Sequence, residues 1–201
     1  MQFRPVPLRG DTIELTPYQP SDFEDVCAAA LSAPEIFRFM PVRIATRADV
    51  EERMSVASAL AEKEMGTVFV TRRRDTGMVI GSTACLVTDR AHRRIEIGFT
   101  WLIPSAQRSG ANTEAKSLQL GHCFETVAAV RVEFKTDARN LRSRAALARI
   151  GATEEGTLRS HMICWDGHRR DSVYFSVIDA EWPSVRTRLE GLSKTGGSVQ
   201  R

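Results

Sequence analysis

No apolar run in this 201-residue chain approaches the roughly 20 residues that a membrane-crossing helix needs, so no membrane partner is expected. Cysteine is sparse and scattered: Cys27, Cys85, Cys123 and Cys164 each stand alone inside an apolar segment. That spacing argues against a disulfide framework or a zinc knuckle and reads as reduced thiols in a core. The opening stretch MQFRPVPLRGDT has neither an apolar centre nor a small-residue cleavage site, and the expected location is cytoplasmic. Charge of one sign is also lacking. Lys and Arg total 28 against 25 Asp and Glu, and a net +3 does not argue for nucleic acid, although it suits an anionic ligand. There is no internal repeat and no linker. One domain over residues 1–194 is expected, with a disordered tail over 195–201.

The apolar pattern supplies the elements. Residues 12–16 alternate as an entry strand. Ser21 and Glu24 form a capping-box signature for a helix over 22–31, and a second helix spans 47–63. The period then changes to two, giving strands at 67–72 and 78–87 around an Asp75-Thr76-Gly77 turn, and a third at 94–103. A central helix over 113–128 leads to a strand at 131–136, which should lie parallel to 94–103 because a helix joins them. A short helix at 143–150, strands at 156–165 and 170–178, and a last helix at 181–192 complete the order. This implies an α+β domain with a mixed, largely antiparallel sheet and one parallel crossover.

The chain is organised around residues 96–116, EIGFTWLIPSAQRSGANTEAK. An apolar strand meets Pro104 and a small-residue turn, Gln107-Arg108-Ser109-Gly110-Ala111-Asn112, which opens into a helix near Thr113. The first N–H groups of a helix lack intrahelical partners, and its dipole favours negative charge there. Small residues let a polyanion approach that bare backbone, so a phosphate-bearing ligand is expected at this strand–turn–helix junction.

This order of elements, with QRSGAN between strand and helix, resembles the GCN5-related N-acetyltransferase (GNAT) superfamily, and within it the RimJ/RimL-type branch of ribosomal-protein N-alpha-acetyltransferases. The resemblance covers roughly residues 8–182. Residues 107–112 match the family's Q/R-x-x-G-x-G/A loop, with Asn112 departing from its last small residue. Asn140-Leu141-Arg142-Ser143 matches its N-x-x-S, and Gly151-Ala152 with Glu155-Gly156 matches the segment before the last hairpin. The resemblance implies a mostly antiparallel twisted sheet with a parallel strand splay and helices on both faces. It also implies acetyl-CoA as cosubstrate, with its pantetheine arm between strands 94–103 and 131–136 and its pyrophosphate on the turn. Cofactor-binding residues would be Gln107, Arg108, Ser109, Gly110, Ala111, Asn112, Thr113, Phe99, Trp101, Asn140 and Arg142.

Direct acetyl transfer to an amine needs a neutral amine, a stabilised oxyanion and a proton for the departing thiolate. Ser143, at the N-x-x-S position, is the candidate proton donor, because Leu147 stands where other members carry a tyrosine; the alternative is that Ser143 caps its helix. Glu96 is a candidate base, or else the partner of an arginine such as Arg94 or Arg72. Strict alternation places it with Arg94, Gly98 and Thr100, opposite Ile95, Ile97, Phe99 and Trp101. His161, on the penultimate strand, is the other candidate base. His122 reads as a packed residue and Arg72-Arg73-Arg74 as solvated edge charge. Phe39, Trp101 and Trp165 either line an acceptor pocket or belong to the core. His161 and Cys164 diverge on a strand and have no fourth ligand at suitable spacing, so no metal is expected. The acceptor is a protein N-terminus or a small amine such as an amino acid, polyamine or aminoglycoside, walled by the first two helices and the last hairpin. A non-catalytic acyl-CoA sensor is the reading from another class. A homodimer is common among similar proteins, but no seam in the sequence identifies one.

Overall fold

Residues 3–196 are described in the computed structural model. In chain order they form β1 (Leu8–Arg9), β2 (Ile13–Pro17), α1 (Phe23–Leu31), α2 (Arg47–Glu62), β3 (Gly66–Arg73), β4 (Val79–Asp89) and β5 (Arg94–Leu102). There follow α3 (Ala111–Gly121), β6 (Arg131–Asp137), α4 (Leu141–Ile150), β7 (Thr153–Ile163), β8 (Arg169–Ile178) and α5 (Trp182–Gly196). One sheet holds all eight strands in the order β1-β2-β3-β4-β5-β6-β8-β7. Its neighbours are antiparallel except β5 and β6, which α3 joins as a crossover.

The sheet is covered on both faces. On one side Ile95, Ile97, Val132, Phe134, Val173 and Phe175 pack with Ala115 and Leu120 of α3 and Leu189 of α5. On the other, Val26 and Cys27 of α1 and Val50 and Met54 of α2 bury Val70 and Val79. All four cysteines are buried and unpaired, as expected of core thiols. No helix among the described residues is long and apolar enough to cross a membrane.

Several local expectations are revised. Asp22, not Glu24, closes the turn before α1: its Oδ2 accepts the Gln19 N–H at 2.8 Å, and Ser21 has no capping bond. Glu24 pairs instead with Arg47. Arg72 is no solvated edge charge, because its guanidinium bonds Asp22 at 2.7 Å and Asp25 at 3.3 Å and pins α1 against β3. The central helix starts at Ala111, two residues earlier than expected, and after Gly121 widens into a π-turn, His122–Thr126. His122 is packed there, edge-on to Phe3. α5 runs through Gly196, two residues into the supposed tail, and the rest of that stretch lies outside the described residues.

Candidate active site

The parallel pairing of β5 and β6 lasts three residues, Arg94↔Arg131, Ile95↔Val132 and Glu96↔Glu133, and then stops. Beyond it the facing edges of Ile97–Thr100 and Phe134–Asp137 have no strand partner, so their peptide groups are open to a ligand. A cavity of about 640 Å³ fills the gap. Its walls include Gly98, Phe99, Thr100 and Trp101 from β5, Phe134 and Lys135 from β6, and Asn140, Ser143 and Leu147 around α4.

A bulge shapes the β5 wall. Ala84 faces Gly98, but Ser82 faces Trp101, so β5 carries one residue more than β4 over this span. Phe99 sits there at φ +49°, a left-handed conformation that costs a non-glycine residue on the order of 1 kcal/mol or more. The extra residue reverses the alternation. Ile95 and Ile97 face α3, whereas Phe99 and Trp101 pack towards α1 and α2, and Thr100 faces α3. Expecting all four apolar residues on one face was therefore wrong beyond Gly98. The Arg53 guanidinium, pushed down to about 10 by burial, stacks 3.5 Å from the centre of the Phe99 ring.

Behind the bulge lies a polar network that the sequence reading missed. Lys116 of α3, 4 % exposed, donates to Thr100 Oγ1 at 2.8 Å, Gln119 Oε1 at 3.2 Å and Thr83 Oγ1 at 3.3 Å. The Thr83 and Thr100 hydroxyls lie 2.7 Å apart. Among the described residues no carboxylate joins them, and burial pushes the Lys116 ammonium down to about 8, partly offset by Cys85 and Cys123. The signal was present in the sequence as Lys116 and Gln119, two polar residues three apart on the buried side of α3.

The turn ahead of α3 has the geometry expected of an anion cradle. Arg108 lies at φ +63° and Gly110 at φ +90°, which turns successive N–H groups towards one side. A Cβ built on Gly110 would meet no protein atom within 4 Å. The first helical bond is Glu114 N–H to Gly110 O at 3.0 Å, which leaves the Asn112 and Thr113 N–H groups ahead of it. Arg108, Arg142 and Arg149 border the cavity at this end. Gln107 is a strut: its amide donates to Leu102 O at 2.9 Å and accepts from Arg142 at 2.6 Å. Ser109, off the cavity wall, donates to Ala106 O at 2.7 Å, and Ala111 is buried behind the turn.

The remaining candidates separate clearly. Asn140, not Ser143, caps α4, its Oδ1 accepting the Ser143 N–H at 3.1 Å. The Ser143 hydroxyl bonds no protein group among the described residues and borders the cavity beside buried Leu147. Glu96 pairs with neither arginine suggested by the sequence. Its Oε2 accepts from Lys135 at 2.9 Å across the splay, and the carboxylate lies one layer behind the wall formed by Gly98 and Lys135. His161 lies off the cavity wall, its Nδ1 3.0 Å from Ser172 Oγ and its ring edge-on to Tyr174. Phe39 and Trp101 line the cavity, whereas Trp165 is 55 % exposed. On the α1 and α2 side the wall comes from Ile36, Phe39 and Met40, between the helices, rather than from the helices themselves.

These features fit a long anionic thioester. The cavity volume is that of a small-molecule site, the open strand edges suit an amide-containing arm, and the turn offers unpaired N–H groups beside three guanidinium groups. Residues 12–153 match the acetyltransferase (GNAT) domain family. YoaA of Bacillus subtilis (strain 168), described as an uncharacterized N-acetyltransferase, is 26 % identical over 174 residues, covering 85 % of this chain and 96 % of that protein. A GCN5-related N-acetyltransferase from Brucella melitensis superposes with a TM-score of 0.86 at 29 % identity, over 95 % of this chain and 86 % of that one. Mycobacterium smegmatis RimJ, solved in complex with CoA-disulfide, superposes at 0.79 with 26 % identity, over 92 % of each chain.

Proposed function

Because the chain belongs to the GNAT acetyltransferase family, we propose that it carries an acetyl group from acetyl-CoA directly to the α-amino group of a protein N-terminus. When bound, acetyl-CoA supplies an activated acyl group on a thiol leaving group. The Asn112 and Thr113 N–H groups, with Arg108, Arg142 and Arg149, hold the diphosphate, and the open edges of β5 and β6 hold the pantetheine arm. Peptide N–H groups at the Phe99 bulge, removed from the β4 ladder, stabilise developing negative charge on the acyl oxygen. The Ser143 hydroxyl, free of protein partners among the described residues, gives its proton to the departing sulfur.

On the acceptor side, an α-amino group has an ordinary pKa near ~8 and needs little help to lose its proton. Glu96 receives that proton through a water, using Oε1, which no protein donor occupies among the described residues. His161 is a weaker base candidate, because Glu96 lies directly behind wall residues Gly98 and Lys135, whereas His161 bonds Ser172. A protein acceptor is supported by likeness to YdaF of Bacillus subtilis (strain 168), described as a putative ribosomal N-acetyltransferase and 31 % identical over 106 residues. The observation that carries the reading is the splay with the cradle at its end, both opening into one cavity. Incubation with acetyl-CoA and a panel of peptides, amino acids, polyamines and aminoglycosides tests it by thiol release. Turnover with N-terminal peptides is expected. Acetyl-CoA binding without thiol release for any amine would replace the enzyme with a sensor.

A further inference from the structure

The geometry points to Arg170 as an acceptor-recognition residue, and to an acceptor that carries a carboxylate close to its reactive amine. This rests on the acetyl-transfer reading above and specifies its substrate class.

Arg170 is 5 % exposed and borders the cavity, yet among the described residues its guanidinium makes no hydrogen bond and no ion pair. Its Nε is fully buried and unpartnered. A buried guanidinium has five donors to satisfy and a large desolvation penalty to offset. The neighbouring carboxylates are already engaged. Asp137 accepts the Arg139 N–H at 2.9 Å and its side chain at 3.0 and 2.8 Å, and Glu96 is held by Lys135 at 2.9 Å. With those two carboxylates engaged elsewhere, Asp137 and Glu96 act on the Arg170 charge from a distance, and among the described residues no carboxylate bonds its guanidinium directly. Burial pushes its pKa down from the ordinary value, while Asp137 pulls it up.

The side of the sheet identifies which ligand it serves. Val173, Phe175 and Val177 of β8 point into the core beneath α3, so Arg170, an odd number of residues away, lies on the opposite face with Lys135. Phe39 and Met40 border the cavity too, and the face away from α3 is where the segment between α1 and α2 packs. The anion cradle stands at the head of α3, across the sheet. A planar fork of donors on the acceptor side matches a carboxylate, not the diphosphate. That carboxylate is either the α-carboxylate of a free amino acid or the acidic side chain of a peptide's first or second residue.

The test compares acceptors that differ only in this group: Ser-Glu- against Ser-Gln-headed peptides, and free amino acids against their amides. The folded wild type should favour the carboxylate member about 10- to 100-fold in kcat/KM, mostly through KM, as a charge-assisted bond warrants. The peptide and amino-acid arms identify the source. Arg170→Gln should erase the preference and leave the KM for acetyl-CoA within about twofold; Arg170→Lys should keep part of it. Equal turnover of acid and amide by the wild type overturns the inference even if the variants fail to fold, and leaves the acetyl-transfer reading standing. A raised KM for acetyl-CoA in Arg170→Gln with the preference intact also overturns it. No turnover with any amine would instead remove the reading on which it rests.

Discussion

The Lys116 ammonium donates to the Thr100 hydroxyl at 2.8 Å, tying α3 to β5 one residue past the bulge that forms the cavity wall. Among the described residues all its hydrogen-bond partners are neutral hydroxyl and amide oxygens, and no carboxylate pairs with it. The bulge, the splay and the head of α3 are thereby fixed relative to one another.

This has a pH consequence. Burial lowers Lys116 from its ordinary 10.5 to about 8 in the folded protein. Between those values the unfolded chain binds more protons, so this residue makes stability rise with pH across that window and leaves its full penalty in place below about 8. Lys116→Met removes the effect. The unfolding free energy of wild type relative to the variant should rise by roughly 3 kcal/mol from about pH 7 to 10.5, measured by urea titration at each pH. A constant gap would contradict a depressed lysine.

Ser143 and Asn140 are one turn apart, and their variants should behave differently. Asn140→Ala removes the α4 cap and should cost about 1 kcal/mol of stability. Ser143→Ala removes a hydroxyl with no protein partner among the described residues, so the thermal midpoint should hold. Its kcat should fall by about 100-fold with the KM for acetyl-CoA unchanged, as loss of a proton donor requires. Steady-state kinetics beside thermal melts separate the two.

Gly110 is needed for both conformation and space. Its φ of +90° costs an L-residue about 1–2 kcal/mol, and the methyl of Gly110→Ala meets no protein atom, entering the space left for the ligand. The KM for acetyl-CoA should rise at least about tenfold while the melting temperature drops by about 5 °C. A normal KM would place the diphosphate elsewhere.

Much of this was legible in the sequence because it is local. The Gln107–Asn112 turn, the period change at the hairpin and the helix between β5 and β6 each follow from neighbouring residues, and so did the crossover. What strict alternation could not show was the extra residue at Phe99, which depends on the register with β4 and exchanges the faces of Phe99, Thr100 and Trp101. The pairing of Glu96 with Lys135 and the isolation of Arg170 depend on strands β6 and β8, 39 and more residues away in the chain. Asn140 and Ser143 were exchanged as cap for the opposite reason, since both suit an N-terminus and only φ/ψ distinguishes them.

Gly81 tests the packing beside the bulge. A Cβ there would lie 2.1 Å from the Trp101 carbonyl oxygen, which is backbone and cannot swing aside. Gly81→Ala should destabilise the fold by about 2 kcal/mol by forcing β4 from β5. Denaturant unfolding measures this, and an unchanged midpoint would mean that the two strands are looser here than described.

The central claim concerns where the diphosphate of coenzyme A rests, and a crystal structure of the complex with coenzyme A measures it directly. The diphosphate oxygens should lie within hydrogen-bond reach of the Asn112 and Thr113 N–H groups, with the pantetheine arm between Ile97–Thr100 and Phe134–Asp137. Density for the diphosphate away from the head of α3, or an arm outside the splay, would contradict it.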